Sequence, residues 1–158
     1  MTAEISGPDN GPRATARIVG VIAVGGVIGA LARHGLSTAW PSPEFPWATF
    51  VVNASGCFAL GVLMAWVLGR QGVHPLLRPF LGTGVLGGYT TFSTYAVEVD
   101  GLLRDGHGLV ALAYLAGSVV VGLAAAWVGF AVVGRRHLAT PTSLGADTTG
   151  EAERGGIE

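Results

Sequence analysis

Residues 84–95, GVLGGYTTFSTY, set a glycine pair and a run of hydroxyl side chains inside an apolar stretch of membrane-spanning length. Gly87 and Gly88 relax a helix, and lipid offers no hydrogen-bond partner to the backbone groups so freed. A break of this kind persists where it lines a polar cavity, packs on protein or holds an ion. Unwound carbonyls among the hydroxyls of Thr90, Thr91, Ser93 and Thr94 would form a hard-oxygen cage suited to a cation such as sodium. Ser and Thr also bond back to their own helix, so the hydroxyls by themselves fit an ordinary helix as well.

Phe92 and Tyr95, three residues apart, share one helix face just after the glycines. Aromatic rings have a positive rim, so two rims turned to a pathway can hold a small anion without a formal cation that would bind it too tightly to release. The same spacing also serves plain packing. Asn53 follows Thr49 by four residues on one face of the second apolar stretch, as an interhelical hydrogen bond or as a line of donors along a permeation path. Glu98 continues the stripe Thr91, Thr94, Glu98, and an ionisable group near a membrane span is a functional candidate or a snorkelling side chain. Tyr114 and Ser118 form a polar stripe on an otherwise aliphatic segment, with Gly122 next along it. Arg33, at the end of the first stretch, either draws anions into a vestibule or reaches the headgroups.

These residues need a scaffold, and the composition says which. With 158 residues, mean hydropathy +0.54 and 12% charged residues, the chain reads as one small integral membrane unit. Four apolar stretches, 17–39, 47–69, 76–103 and 109–133, are each long enough to cross the ~30 Å hydrocarbon core. The expected fold is an all-α membrane protein of four transmembrane helices, the third broken at mid-membrane. Residues 17–134 are expected to form the membrane domain, and residues 1–16 and 135–158 are polar tails expected to be disordered.

Every basic residue is an arginine, and the net charge of −1 leaves no footprint for nucleic acid. Arg13, Arg17, Arg70, Arg78, Arg135 and Arg136 flank one side, whereas Arg104 clearly flanks the other, which puts both termini in the cytoplasm. The lone Cys57 excludes a disulfide framework and reads as a small core residue. Gly25 and Gly29, and again Gly84 and Gly88, are spaced for close helix approach, within one subunit or between subunits. Four spans leave little room for an internal aqueous path, which points to an oligomer. There is no paired carboxylate, no nucleophile with a base and no metal-ligand cluster, so no enzyme is expected.

The segments GGVIGALARH at 25–34, FPWATFVVNASGCFALG at 45–61 and GTGVLGGYTTFSTYAVE at 82–98 resemble the CrcB/Fluc fluoride channels, in order and at matching separations. The resemblance runs over all four stretches. It implies a passive fluoride-selective channel in the cell membrane, an antiparallel, dual-topology dimer with two pores and a structural sodium ion at its centre. Such a channel exports cytoplasmic fluoride and so lowers its toxicity. By matching positions, Asn53 would donate to fluoride, Phe92 and Tyr95 would form an aromatic box, and Gly87 and Thr90 would offer backbone carbonyls to sodium. Thr49, Thr94, Glu98, Tyr114 and Ser118 match the polar track or its neighbourhood.

Three departures stand out: Tyr95 replaces the usual Phe, Gly122 replaces a second serine, and the arginine bias is stronger than an inverted homodimer requires. That bias leaves open a paired, oppositely oriented homologue in place of a second copy. The alternative class is a small four-helix proton-coupled exporter of the multidrug type. It needs a titratable carboxylate deep in a span, and Glu98 is the one candidate.

Overall fold

The protein is described by a computed structural model covering residues 11–40 and 45–138. Every element among them is helical. Helix α1 spans Pro12–Ala39 and α2 spans Trp47–Leu68. The first part of the third apolar stretch, α3, is a π-helix over Pro79–Leu86 that ends in one α-helical turn, Gly87–Tyr89. Helix α4 spans Ser93–Arg104, and α5 spans Gly108–Leu138. Three of these, α1, α2 and the Gly108–Gly134 part of α5, are long and apolar enough to cross a membrane.

Two boundaries differ from the sequence expectation. Helix α1 begins at Pro12, inside the segment expected to be a disordered tail, because proline at the first helical position needs no hydrogen-bond partner and already has helical φ. Helix α5 runs on through Leu138, beyond the expected end of the membrane domain. The remainder of both tails lies outside the described residues. Between α4 and α5 the chain reverses at Gly106, whose φ of 80° suits glycine. His107 N–H donates to the Leu102 carbonyl and Gly106 N–H to that of Leu103, which satisfies the last carbonyls of α4 in a Schellman arrangement.

Glycines set the packing. A side chain on Gly25 would lie 2.6 Å from the Phe80 carbonyl oxygen, and one on Gly84 would lie 2.9 Å from that of Ile22. Gly29 lies against Val85 and Tyr89, and Gly88 against Gly26, in the same way. The contacts advance together along both chains, so α1 and α3 run parallel with their backbones in contact. Phe45 on Tyr114, Cys57 beside Gly122 and Gly61 against Ala126 advance together and make a second parallel pair of α2 and α5. The two GxxxG pairs therefore serve packing within the subunit. Each pair leaves an apolar outer face, exemplified by Val27 and Leu31 on α1 and by Leu123 and Trp127 on α5.

Candidate functional site

The helical path stops at Thr90, whose ψ of 155° is extended, and resumes at Ser93. Asn53 on α2 bridges the gap. Its Nδ2 donates to the Thr91 carbonyl at 3.0 Å, and its Oδ1 accepts from the Thr91 N–H at 2.8 Å. One carboxamide thus replaces both hydrogen bonds that a helix would have given this peptide, each worth about 0.5–1.5 kcal/mol net and more to leave unmade. A second Nδ2 hydrogen of Asn53 remains for another acceptor. Gly56, one turn further along α2, is required here, because a Cβ at that position would collide with the Thr90 side chain.

The rest of the break is sorted with equal economy. Thr91 Oγ1 accepts from the Thr94 N–H at 3.2 Å and donates to Thr94 Oγ1 at 3.1 Å. Thr90 Oγ1 bonds back to the Leu86 carbonyl at 2.9 Å. The Arg33 guanidinium, half-buried, donates from Nε to the Gly88 carbonyl at 3.3 Å. A cation at the carbonyl end of α3 is favourably placed in the field of that helix.

Beside the break, α2, α3 and α5 enclose an open groove of about 570 Å³. Asn53, Thr90, Phe92, Tyr95 and Ser118 line it, and its lining includes no charged side chain. The Phe92 ring, 79% exposed, projects from the break, with its centroid 5.8 Å from that of Tyr95. Tyr95 is buried and donates its hydroxyl to the Leu115 carbonyl on α5 at 2.8 Å, so the ring is fixed. Ser118 Oγ is buried without a hydrogen-bond partner.

A second polar cluster lies beyond Tyr95. Its ring centroid is 5.2 Å from that of Tyr114, whose hydroxyl donates to Glu98 Oε2 at 2.7 Å. Thr49 donates to Glu98 Oε1 at 2.8 Å. Both oxygens of one carboxylate are thus held by charge-assisted bonds from two other helices. Thr49 and Tyr114 are fully buried, which makes these bonds costly to lose.

The comparisons with known proteins agree with this architecture. The family model for CrcB-like protein, Camphor Resistance (CrcB), matches residues 20–130. The chain is 51% identical over 127 residues to Fluoride-specific ion channel FluC 2 of Nocardia farcinica, covering 79% of this chain and 91% of that one. It is 50% identical over 121 residues to Fluoride-specific ion channel FluC 1 of Streptomyces coelicolor, covering 75% and 79%. A relative in Solibacter usitatus, Fluoride-specific ion channel FluC, is 46% identical over 119 residues, covering 73% and 97%.

The chain belongs to the CrcB family. As a CrcB protein it is a multi-pass membrane protein.

The CrcB chain brings its expected residues together in two groups. Asn53, Gly87, Thr90, Phe92, Tyr95 and Ser118 share the groove, whereas Thr49, Glu98 and Tyr114 make the separate cluster above it. Thr94 faces Thr91, and Arg33 is tied to the break through Gly88. Gly122, the departure from serine, is not required by packing: a Cβ there would meet only Cys57 Sγ, at a contact distance of 3.4 Å. Two residues carry more than the sequence assigned them. Gly56 admits Thr90 to the face of α2, which its position three residues after Asn53 could have signalled, and Thr91 is the partner of both Asn53 and Thr94.

The break frees the carbonyls of Gly87 and Thr90 from helix pairing. In a continuous helix they would accept from the N–H groups of Thr91 and Thr94. Those donors go instead to Asn53 Oδ1 and Thr91 Oγ1. Two backbone oxygens, hard donors of the kind sodium takes, are thereby released from helix pairing.

Proposed function

We propose that this protein is a fluoride-selective channel that lets cytoplasmic fluoride leave the cell passively across the plasma membrane. The observation that carries the reading is the groove itself, lined by Asn53, Phe92, Tyr95 and the unpartnered Ser118, with no charged side chain. Weak partial charges replace enough hydration for a small anion to enter, and release it readily. The printed names of the relatives, fluoride-specific ion channels, support the same permeant.

In this reading α3 and α4 are the two halves of one span broken at mid-membrane. Asn53 donates its spare Nδ2 hydrogen to fluoride, and Phe92 and Tyr95 form the aromatic box. Ser118, Thr94 and the Thr49–Glu98–Tyr114 cluster continue the polar track, and Arg33 lies at its vestibule end. The Gly87 and Thr90 carbonyls would hold sodium, which would supply a fixed positive charge where the half-helices meet. The groove is open in one subunit, and an inverted second subunit, a second copy or a paired homologue, closes it into a pore. Transport needs no proton exchange. The coupled-exporter alternative is not favoured, since Glu98 is engaged by two hydroxyl donors.

Liposomes loaded with fluoride and containing the purified protein are expected to release fluoride and retain chloride, with no pH gradient imposed. Asn53→Asp and Phe92→Ile are each expected to cut the fluoride flux by at least about tenfold, as loss of about 1.4 kcal/mol of anion stabilisation would. Unchanged flux in both variants would remove these residues from the pathway.

A further inference from the structure

We infer that Thr91 is a positioning residue for the cation, the side chain and amide that keep the Gly87 and Thr90 carbonyls available. This rests on the channel reading above and deepens it. A helix passing through residues 87–94 would hide both oxygens, one behind the Thr91 N–H and the other behind the Thr94 N–H. Thr91 withdraws both donors. Its own N–H is taken by Asn53 Oδ1 at 2.8 Å, and its Oγ1 takes the Thr94 N–H at 3.2 Å. The neighbouring carbonyls are dealt with differently: Gly88 is bonded by Arg33 and Thr91 by Asn53 Nδ2. Of the Gly87, Gly88, Thr90 and Thr91 carbonyls, two are therefore satisfied by protein donors and two are left to an ion.

The consequence is a link between anion path and cation site. Asn53 uses one amide hydrogen and its oxygen to hold Thr91 open, and offers its remaining hydrogen to the groove. Loss of Asn53 thus weakens sodium binding as well as fluoride passage, although Asn53 touches no sodium ligand directly.

The test uses the full-length protein purified in detergent and reads thermal unfolding as sodium chloride replaces N-methylglucamine chloride at constant ionic strength. A cation bound to the native state raises the unfolding temperature with concentration, which gives a sodium midpoint. Thr91→Val removes only the hydroxyl, and Asn53→Ala removes the acceptor for the Thr91 amide. Each is expected to raise the sodium midpoint about tenfold, the loss of roughly one hydrogen bond's contribution to holding the site. Thr91→Ser restores the hydroxyl and is expected to recover the midpoint of the unaltered protein. If Asn53→Ala does not yield folded protein, Thr91→Val and Thr91→Ser decide the matter by themselves. Thr91→Val with an unaltered midpoint overturns the assignment while leaving the channel and its cation in place. An unaltered protein that moves fluoride in liposomes but shows no sodium midpoint overturns the cation site, and this inference with it, while the channel reading survives.

Discussion

At the level of single residues, the molecule works by sharing a few polar groups among many demands. Tyr95 illustrates this. Its hydroxyl is spent on the Leu115 carbonyl, and the residue lines the groove. Tyr95→Phe should therefore keep fluoride-over-chloride selectivity in the liposome assay while losing about 0.5–1.5 kcal/mol of stability, read as a lower unfolding temperature. A loss of selectivity would mean that the hydroxyl itself meets the ion. Glu98 makes the opposite case. Glu98→Leu leaves the buried Thr49 and Tyr114 hydroxyls unpaired, at about 1–3 kcal/mol each, whereas Glu98→Gln retains an acceptor oxygen and should unfold at a temperature between the two. Equal unfolding temperatures for both variants would contradict that bonding pattern.

Among the elements, backbone contact between α1 and α3 decides where the break sits. Gly29 and Gly88 lie directly against carbonyls or amides of the other helix, with no flexible side chain to move aside. Gly29→Val should therefore destabilise the protein by more than about 2 kcal/mol through forced helix separation, measured by chemical or thermal unfolding in detergent. Gly20, on the same helix with nothing within 4 Å, provides the contrast. Gly20→Ala should be neutral or slightly stabilising, since alanine is the better helix former by about 1 kcal/mol. Equal effects at both positions would show that the packing of α1 on α3 does not control stability.

For the whole molecule, loop charge governs orientation. Arg13, Arg17, Arg70, Arg78, Arg135 and Arg136 flank one end, whereas Arg104, at the last residue of α4, flanks the other, where it pairs with Asp100 at 2.7 Å. Charge of this kind biases insertion, so a C-terminal reporter active only in the cytoplasm should be active in most molecules. Replacing Arg70 and Arg78 with glutamine should convert a measurable fraction to the inverted form. Reporter activity split evenly in the unaltered protein would favour a homodimer of inverted copies, whereas a single orientation with fluoride flux only after co-expression of a homologue would favour a pair of different chains.

The sequence alone determined what kind of solvent the chain lives in and which residues could meet an ion, because hydropathy, span length and the order of GGVIGALARH, FPWATFVVNASGCFALG and GTGVLGGYTTFSTYAVE are local properties. Glycine spacing also announced close helix contact, but left open whether it lay within a subunit. What the sequence could not assign was the traffic of hydrogen bonds at residues 87–94, since each donor there had a local helical alternative of equal chemistry. Only the tertiary structure decided between them: Gly56 lets Thr90 approach α2, Asn53 reaches across 38 positions of chain to take the Thr91 amide, and Arg33 reaches across 55 to the Gly88 carbonyl. Such choices depend on how helices distant in sequence fit against each other, and no spacing rule along one strand of sequence carries that information.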